Sequence, residues 1–248
     1  MDEMKRVAVV ILGDEILDGS VQDTNSCFLA RSVAALGSQV TRILTLPDDP
    51  AIIAPELASL ASSHDYVITS GGIGSTPDDR TWEAVAMAFD VPLAPHPDLV
   101  RIVERRYQGD ELPWALRMAS PPAGAELIPG GRFAWPLIRF RNIFVLPGVP
   151  EILEDKFPLL APLLESGAFH VGHVKVRVRE PALAGDMDAL ARAWPTVRIG
   201  SYPVLTPKPH VRLVVRSRDP AAASAVLEAL VARFESADVI EVQPPIFT

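Results

Sequence analysis

One cysteine, Cys27, occurs in 248 residues. A lone thiol excludes an intramolecular disulfide and any cysteine cluster for zinc. Basic side chains are outnumbered, with 23 Lys and Arg against 31 Asp and Glu and a net charge of −8. That balance excludes a broad nucleic-acid-binding face, although a locally positive site for an anionic ligand is compatible with it. Long apolar runs are missing: Val7 to Leu12 is far too short to cross a bilayer. The opening MDEMKR lacks a secretory pattern, so a soluble, cytoplasmic protein without a membrane partner is expected. The strings G-x-S-x-G, G-x-G-x-x-G after the first strand, and the Walker A lysine motif are all absent. A serine hydrolase, a Rossmann dehydrogenase and a P-loop NTPase therefore lack their key evidence. The five histidines are scattered; only His170 and His173 lie close together, in a segment that reads as the start of a domain.

What is present is alternation. RVAVVIL (6–12) is a continuous β-branched run, expected of a strand buried on both faces. A helix follows over 23–36, with Phe28, Leu29, Val33 and Leu36 on helical spacing and Gly37 as its stop. A strand is expected over 39–46, and a helix after it with Asp49 as N-cap and Pro50 in its first turn. A third strand (66–70) and a third helix (82–89) complete the pattern. Strands alternating with helices predict a mostly parallel sheet covered on both sides, with ligands at the carboxyl ends of the strands.

Residues 91–136 are proline-rich and harder to read, apart from helical patterns at 97–108 and 112–120. NIFVLPGVPEILEDKF restores the order: a strand to Leu146, a Pro-Gly turn, then a helix from about Pro150. A boundary is expected near Ser166–Gly167, giving an α/β domain (1–166) and a small α+β domain (167–248). In the second, HVKVRVRE (173–180) alternates as a strand with Lys175, Arg177 and Arg179 on one solvated face. The order there reads strand, helix, strand, strand, helix, strand.

The chemistry-bearing residues follow the strands. TSGGIGSTPDDRT (69–81) offers backbone amides and the hydroxyls of Ser70, Ser75 and Thr76 to phosphate oxygens. Asp78 and Asp79 in the same string would repel phosphate unless a divalent cation sat between them. A glycine turn followed by an Asp helix cap accounts for the same residues. The first loop, GDEILDGSVQDTN, carries Asp14, Glu15, Asp18 and Asp23 among Gly13, Gly19 and Asn25. Asp23 or Thr24 could simply cap the next helix. The second loop leaves Asp48 pointing into the same crevice, and the fourth, LPGVP, could wall it.

Together these segments resemble the MoaB/Mog-type molybdopterin-binding domain family. The branch is the one containing CinA amino-terminal domains and the molybdopterin-binding-like domain of FAD synthases. The carrying strings are GDEILDGSVQDTNSCFLA, TSGGIGSTPDDRTWEAVA and NIFVLPGVPEIL, with IGSYPV in the tail. The resemblance implies a three-layer α/β/α domain with a small α+β appendage, and a homo-oligomer. It implies Asp48 and Asp79 as catalytic acidic positions, assisted by Glu15. Asp23, Asn25, Gly13, Ser70, Gly71, Gly72, Gly74, Ser75, Thr76, Pro147 and Gly148 become the ligand-binding set. Asp48, Asp78 and Asp79 would hold a divalent metal (Mg, Mn or Co). Ser75 stands where this branch commonly has proline. No segment resembles the CinA deamidase or the FAD synthase adenylyl-transfer domain, so neither activity is implied. The expected activity is metal-dependent hydrolysis of a nucleotide diphosphate such as FAD or ADP-ribose. The alternatives are a module that binds molybdopterin or a nucleotide without turnover, and molybdopterin adenylylation.

Overall fold

The computed structural model describes residues 4–167 and 169–247. Contacts divide the chain into two compact units, Met1–Ser166 and Gly167–Thr248.

The first unit is built from β1 (Arg6–Leu12), α1 (Asp14–Leu17), α2 (Asn25–Ala35), β2 (Gln39–Leu46), α3 (Pro50–Ser63), β3 (Tyr66–Ser70), α4 (Thr81–Phe89), α5 (Pro97–Arg106), α6 (Leu112–Ala115), β4 (Glu126–Ile128), β5 (Leu137–Phe140), β6 (Ile143–Leu146) and α7 (Pro150–Leu164). Its sheet runs β2-β1-β3-β6-β5-β4. The first four strands in that order are parallel, and β5 and β4 add an antiparallel edge. Alternate β1 side chains serve opposite faces. Ala8, Val10 and Leu12 pack with Ile53 and Leu57 of α3, Val85 of α4 and Leu99 of α5. Val7, Val9 and Ile11 pack with Leu29 and Val33 of α2 and Leu153 and Phe157 of α7. Burial on both faces is why β1 reads as an unbroken apolar run, and the unit is a three-layer α/β/α sandwich.

Local signals act as their chemistry predicts. The Asp49 carboxylate accepts from the Ala51 amide (2.9 Å) and caps α3, with Pro50 in its first turn. Residues 112–120 form not one helix but α6 followed by a 3-10 turn over Leu116–Ala119. The short β4 and β5 lie in or beside the proline-rich stretch, where no alternation announces them.

The second unit contains β7 (His170–Val176), α8 (Ala184–Ala193), β8 (Arg198–Val204), β9 (His210–Ser217), α9 (Pro220–Val231) and β10 (Val239–Phe247). Its antiparallel sheet runs β10-β7-β9-β8, and Val174, Val176, Leu213 and Val215 meet Leu190 of α8 and Val226 and Leu227 of α9. The strand expected over 173–180 is displaced: β7 begins at His170 and ends at Val176. Its register is set by pairing with β9 from Ser217 to Val211. Of the three cations expected on one solvated face, Arg177 and Arg179 therefore lie beyond the strand. Lys175 pairs with Glu241 of β10 at 2.6 Å. No described helix is long and apolar enough to cross a membrane.

Candidate functional site

The carboxyl ends of β1, β2, β3 and β6 open onto one cavity of about 610 Å³ in the first unit. Each strand hands over to a loop that contributes to it. Gly13 and Glu15 follow β1, Asp48 follows β2, Gly71, Gly72, Gly74, Asp78 and Asp79 follow β3, and Pro147 and Gly148 follow β6. Parallel pairing puts these loops at the same sheet edge, because every strand points the same way.

The closest backbone approach is at Gly71. Its φ is +110°, and a Cβ there would lie 2.2 Å from the Leu12 carbonyl oxygen. Its amide donates to the Leu146 carbonyl at 3.2 Å, so the ends of β1, β3 and β6 meet on this residue. Only glycine combines that φ with that contact.

Acidic groups crowd one end. The Asp48 carboxylate accepts from the Asp14 amide at 3.1 Å, joining the second loop to the first. Its pKa is raised, first by burial and then by the charges of Asp14, Glu15 and Asp78, against the lowering effect of the Asp14 amide. Asp79 is knotted into its own loop: Oδ2 accepts from the Thr76 amide (2.8 Å) and the Thr76 hydroxyl (2.5 Å). Asp78 is exposed. The Thr76 hydroxyl has one proton to give, and the geometry assigns it to Asp79.

These residues offer carboxylate oxygens, the donors a magnesium-like ion takes, and their mutual repulsion at Asp48 would be relieved by a cation. Among the described residues no three His, Cys, Asp or Glu side chains are placed to hold a metal ion. An ion here would have to draw the rest of its coordination from substrate phosphates and water.

A family model described as "Probable molybdopterin binding domain" matches residues 8–166. The chain belongs to this molybdopterin-binding family. A second family model, "FAD synthase, middle domain", matches residues 168–243. A protein of Archaeoglobus fulgidus is 32% identical over 195 residues, covering 79% of this chain and 84% of its own. A "Probable FAD synthase" of Caenorhabditis elegans is 31% identical over 236 residues, covering 84% of this chain but 46% of its own. The chain thus spans about half of that relative. The crystal structure of a CinA of unknown function from Thermoplasma acidophilum superposes with a TM-score of 0.59 at 27% identity, over 64% of this chain and 99% of its own.

In this molybdopterin-binding domain the residues singled out by sequence divide into two groups. Gly13, Glu15, Asp48, Gly71, Gly72, Gly74, Asp78, Asp79, Pro147 and Gly148 line the cavity. Asp23, Asn25, Ser70, Ser75 and Thr76 do not line it; most of them brace it. Asp23 accepts from the Ser26 amide (2.9 Å) at the start of α2. Asn25, 8% exposed, donates from Nδ2 to Ser70 Oγ (3.0 Å) and to the Gly148 carbonyl (2.7 Å). The Ser70 hydroxyl in turn donates to the Pro147 carbonyl at 3.3 Å. Asn25 is thus a strut between the third and fourth loops. Asn25→Leu would leave the buried Ser70 oxygen without its donor and remove the link to Gly148, and is expected to cost about 1–3 kcal/mol in urea unfolding.

Sequence reasoning missed the rest of the cavity lining, which includes Ile102, Arg106, Tyr107, Met118, Phe133 and Trp135. Arg106 supplies positive charge that the acidic loops do not. No compositional signal marked it: the aromatic content of residues 91–136 is close to that of the whole chain.

Proposed function

We propose that this protein hydrolyses a nucleotide diphosphate such as FAD or ADP-ribose, using a divalent metal (Mg, Mn or Co). The observation that carries the reading is the convergence of carboxylates from three loops on a cavity floored by glycine backbone. Similarity to a relative named for FAD synthesis supports a nucleotide ligand. Asp48, Asp78 and Asp79 would hold the ion together with the phosphates. When bound, the ion supplies positive charge against the diphosphate and Lewis acidity for the leaving phosphate.

The chain's own residues do the rest. Gly71, Gly72 and Gly148 put backbone at the cavity lining, and Arg106 adds a second positive charge within the cavity. Glu15 is exposed beside them and can accept the proton of an attacking water. Water oxygen bonds to one phosphorus while the bridging P–O bond breaks, giving AMP with ribose 5-phosphate from ADP-ribose, or AMP with FMN from FAD.

The test is incubation of pure protein with FAD or ADP-ribose and each of the three metals, followed by chromatography of products. Mononucleotides are expected. Saturable binding without products in any metal would overturn hydrolysis and leave a binding module for a nucleotide or molybdopterin. That second reading is favoured by the engagement of Asp79 with Thr76 and by the lack of three convergent metal ligands among the described residues.

A further inference from the structure

We infer that the aromatic part of the cavity lining is a subsite for a planar nitrogen heterocycle, with Phe133 and Trp135 as its wall and Asp155 and Lys156 as the residues that position that wall. The inference rests on the proposed function only for what binds at the glycine-rich end.

The wall belongs to the connection between β4 and β5, residues 129–136, which has no regular structure of its own. Such a segment is ordinarily mobile. Here α7 holds it. The Asp155 carboxylate accepts from the amides of Arg132 (2.7 Å) and Phe133 (3.2 Å). Lys156 Nζ donates to the carbonyls of Gly130 and Phe133, both at 2.7 Å, and pairs with Asp155 at 2.8 Å. Gly131 makes the turn possible: its φ is +80°, and a Cβ would lie 2.3 Å from Asp155 Oδ2. The Lys156 hydrogen bond and the Arg132 amide hold the Asp155 carboxyl at about 2, so Asp155 stays charged at any ordinary pH.

Lys156 is fully buried. Burying an ammonium is expensive, and an apolar side chain of similar length would often serve stability as well. What the pair adds is one fixed path for residues 130–133, which sets Phe133 and Trp135 at the cavity. Trp135 Nε1 is buried and has no acceptor among the described residues. Trp135 therefore offers the cavity ring carbon rather than a hydrogen bond. With Tyr107 and the Arg106 guanidinium nearby, the surface suits a flat heteroaromatic ring better than an alkyl chain.

The experiment measures binding of AMP, FMN and ribose 5-phosphate by calorimetry with Mg²⁺ present. None of the three has a diphosphate bond, so turnover does not intervene. The wild type is expected to bind AMP or FMN at least about tenfold tighter than ribose 5-phosphate, and the stronger of the two identifies the ring. Trp135→Ala and Lys156→Met are each expected to bring that ratio toward one while ribose 5-phosphate affinity stays within about twofold. A structural loss would lower all three affinities together. Should Lys156→Met not fold, the partly exposed Trp135 still carries the test. Absence of ring-dependent binding in the wild type, or an unchanged ratio in Trp135→Ala, overturns the inference. Failure of FAD and ADP-ribose hydrolysis would leave this ratio intact, so the two outcomes separate.

Discussion

Asp48→Asn is expected to lower diphosphate hydrolysis by about 100-fold or more while the melting temperature holds or rises. The substitution is close to isosteric, and an asparagine oxygen can still accept from the Asp14 amide that now donates to Asp48. What disappears is a partly buried negative charge facing Asp14, Glu15 and Asp78. Without a cation that charge is a burden on the fold, so its removal relieves repulsion. On the proposed function it would be a ligand to the cation that accompanies a diphosphate. Opposite movement of activity and stability is the signature of a group kept for function.

The pH dependence has the same origin. Because the folded-state pKa of Asp48 is raised, the stability linked to its protonation is present below the ordinary carboxylate range and is lost as pH rises through the raised value. Metal affinity runs the other way, since a protonated carboxyl is a poor ligand. Titration of Mn²⁺ across a pH series is expected to show affinity falling as pH drops through that window, with Asp48→Asn flat across it. Full activity in the variant would remove Asp48 from the mechanism.

Gly71→Ala is expected to be the most damaging single-methyl change in the first unit, costing about 3 kcal/mol or more in chemical denaturation. Two costs combine. A side chain disfavours a φ of +110°, and its Cβ would stand 2.2 Å from the Leu12 carbonyl oxygen. The obstacle is backbone at the buried end of β1 and cannot swing aside as a flexible side chain can. The Gly71 amide also donates to Leu146, so retreat from Leu12 disturbs β6. Gly19 is an instructive control. Its φ is +79°, but a Cβ would meet nothing within 4 Å. Gly19→Ala therefore incurs the backbone cost alone, about 1 kcal/mol. Equal losses at the two positions would show that strand convergence at Gly71 contributes nothing.

The layered first unit was legible because its helices and strands carry local chemistry. Val7 to Leu12 alternate between two faces that are both covered, so every position is apolar. Asp49 and Pro50 mark a helix start by the hydrogen bonds they make and lack. The β4–β5 edge was illegible because its three- and four-residue strands lie in or beside a proline-rich stretch with no helix pattern next to them, whereas the equally short β6 is marked by the Pro-Gly turn and α7 that follow it. The same holds for roles within the loops. Asn25 and Asp48 look alike in sequence, each a short polar residue near a helix start. One became a buried strut and the other a cavity carboxylate according to which neighbours the sheet set beside them.

The sequence by itself determined that strands and helices alternate, and that glycine and carboxylates sit where parallel strands end. Periodicity and turn chemistry are properties of a few adjacent residues. Only the tertiary structure decided which carboxylates face one space, that Arg106, Phe133 and Trp135 join them in lining it, and that Lys156 is buried beneath that wall. Those facts depend on pairings between residues far apart in the chain, such as Phe133 with Asp155 and Gly71 with Leu12. No local pattern encodes such a distance.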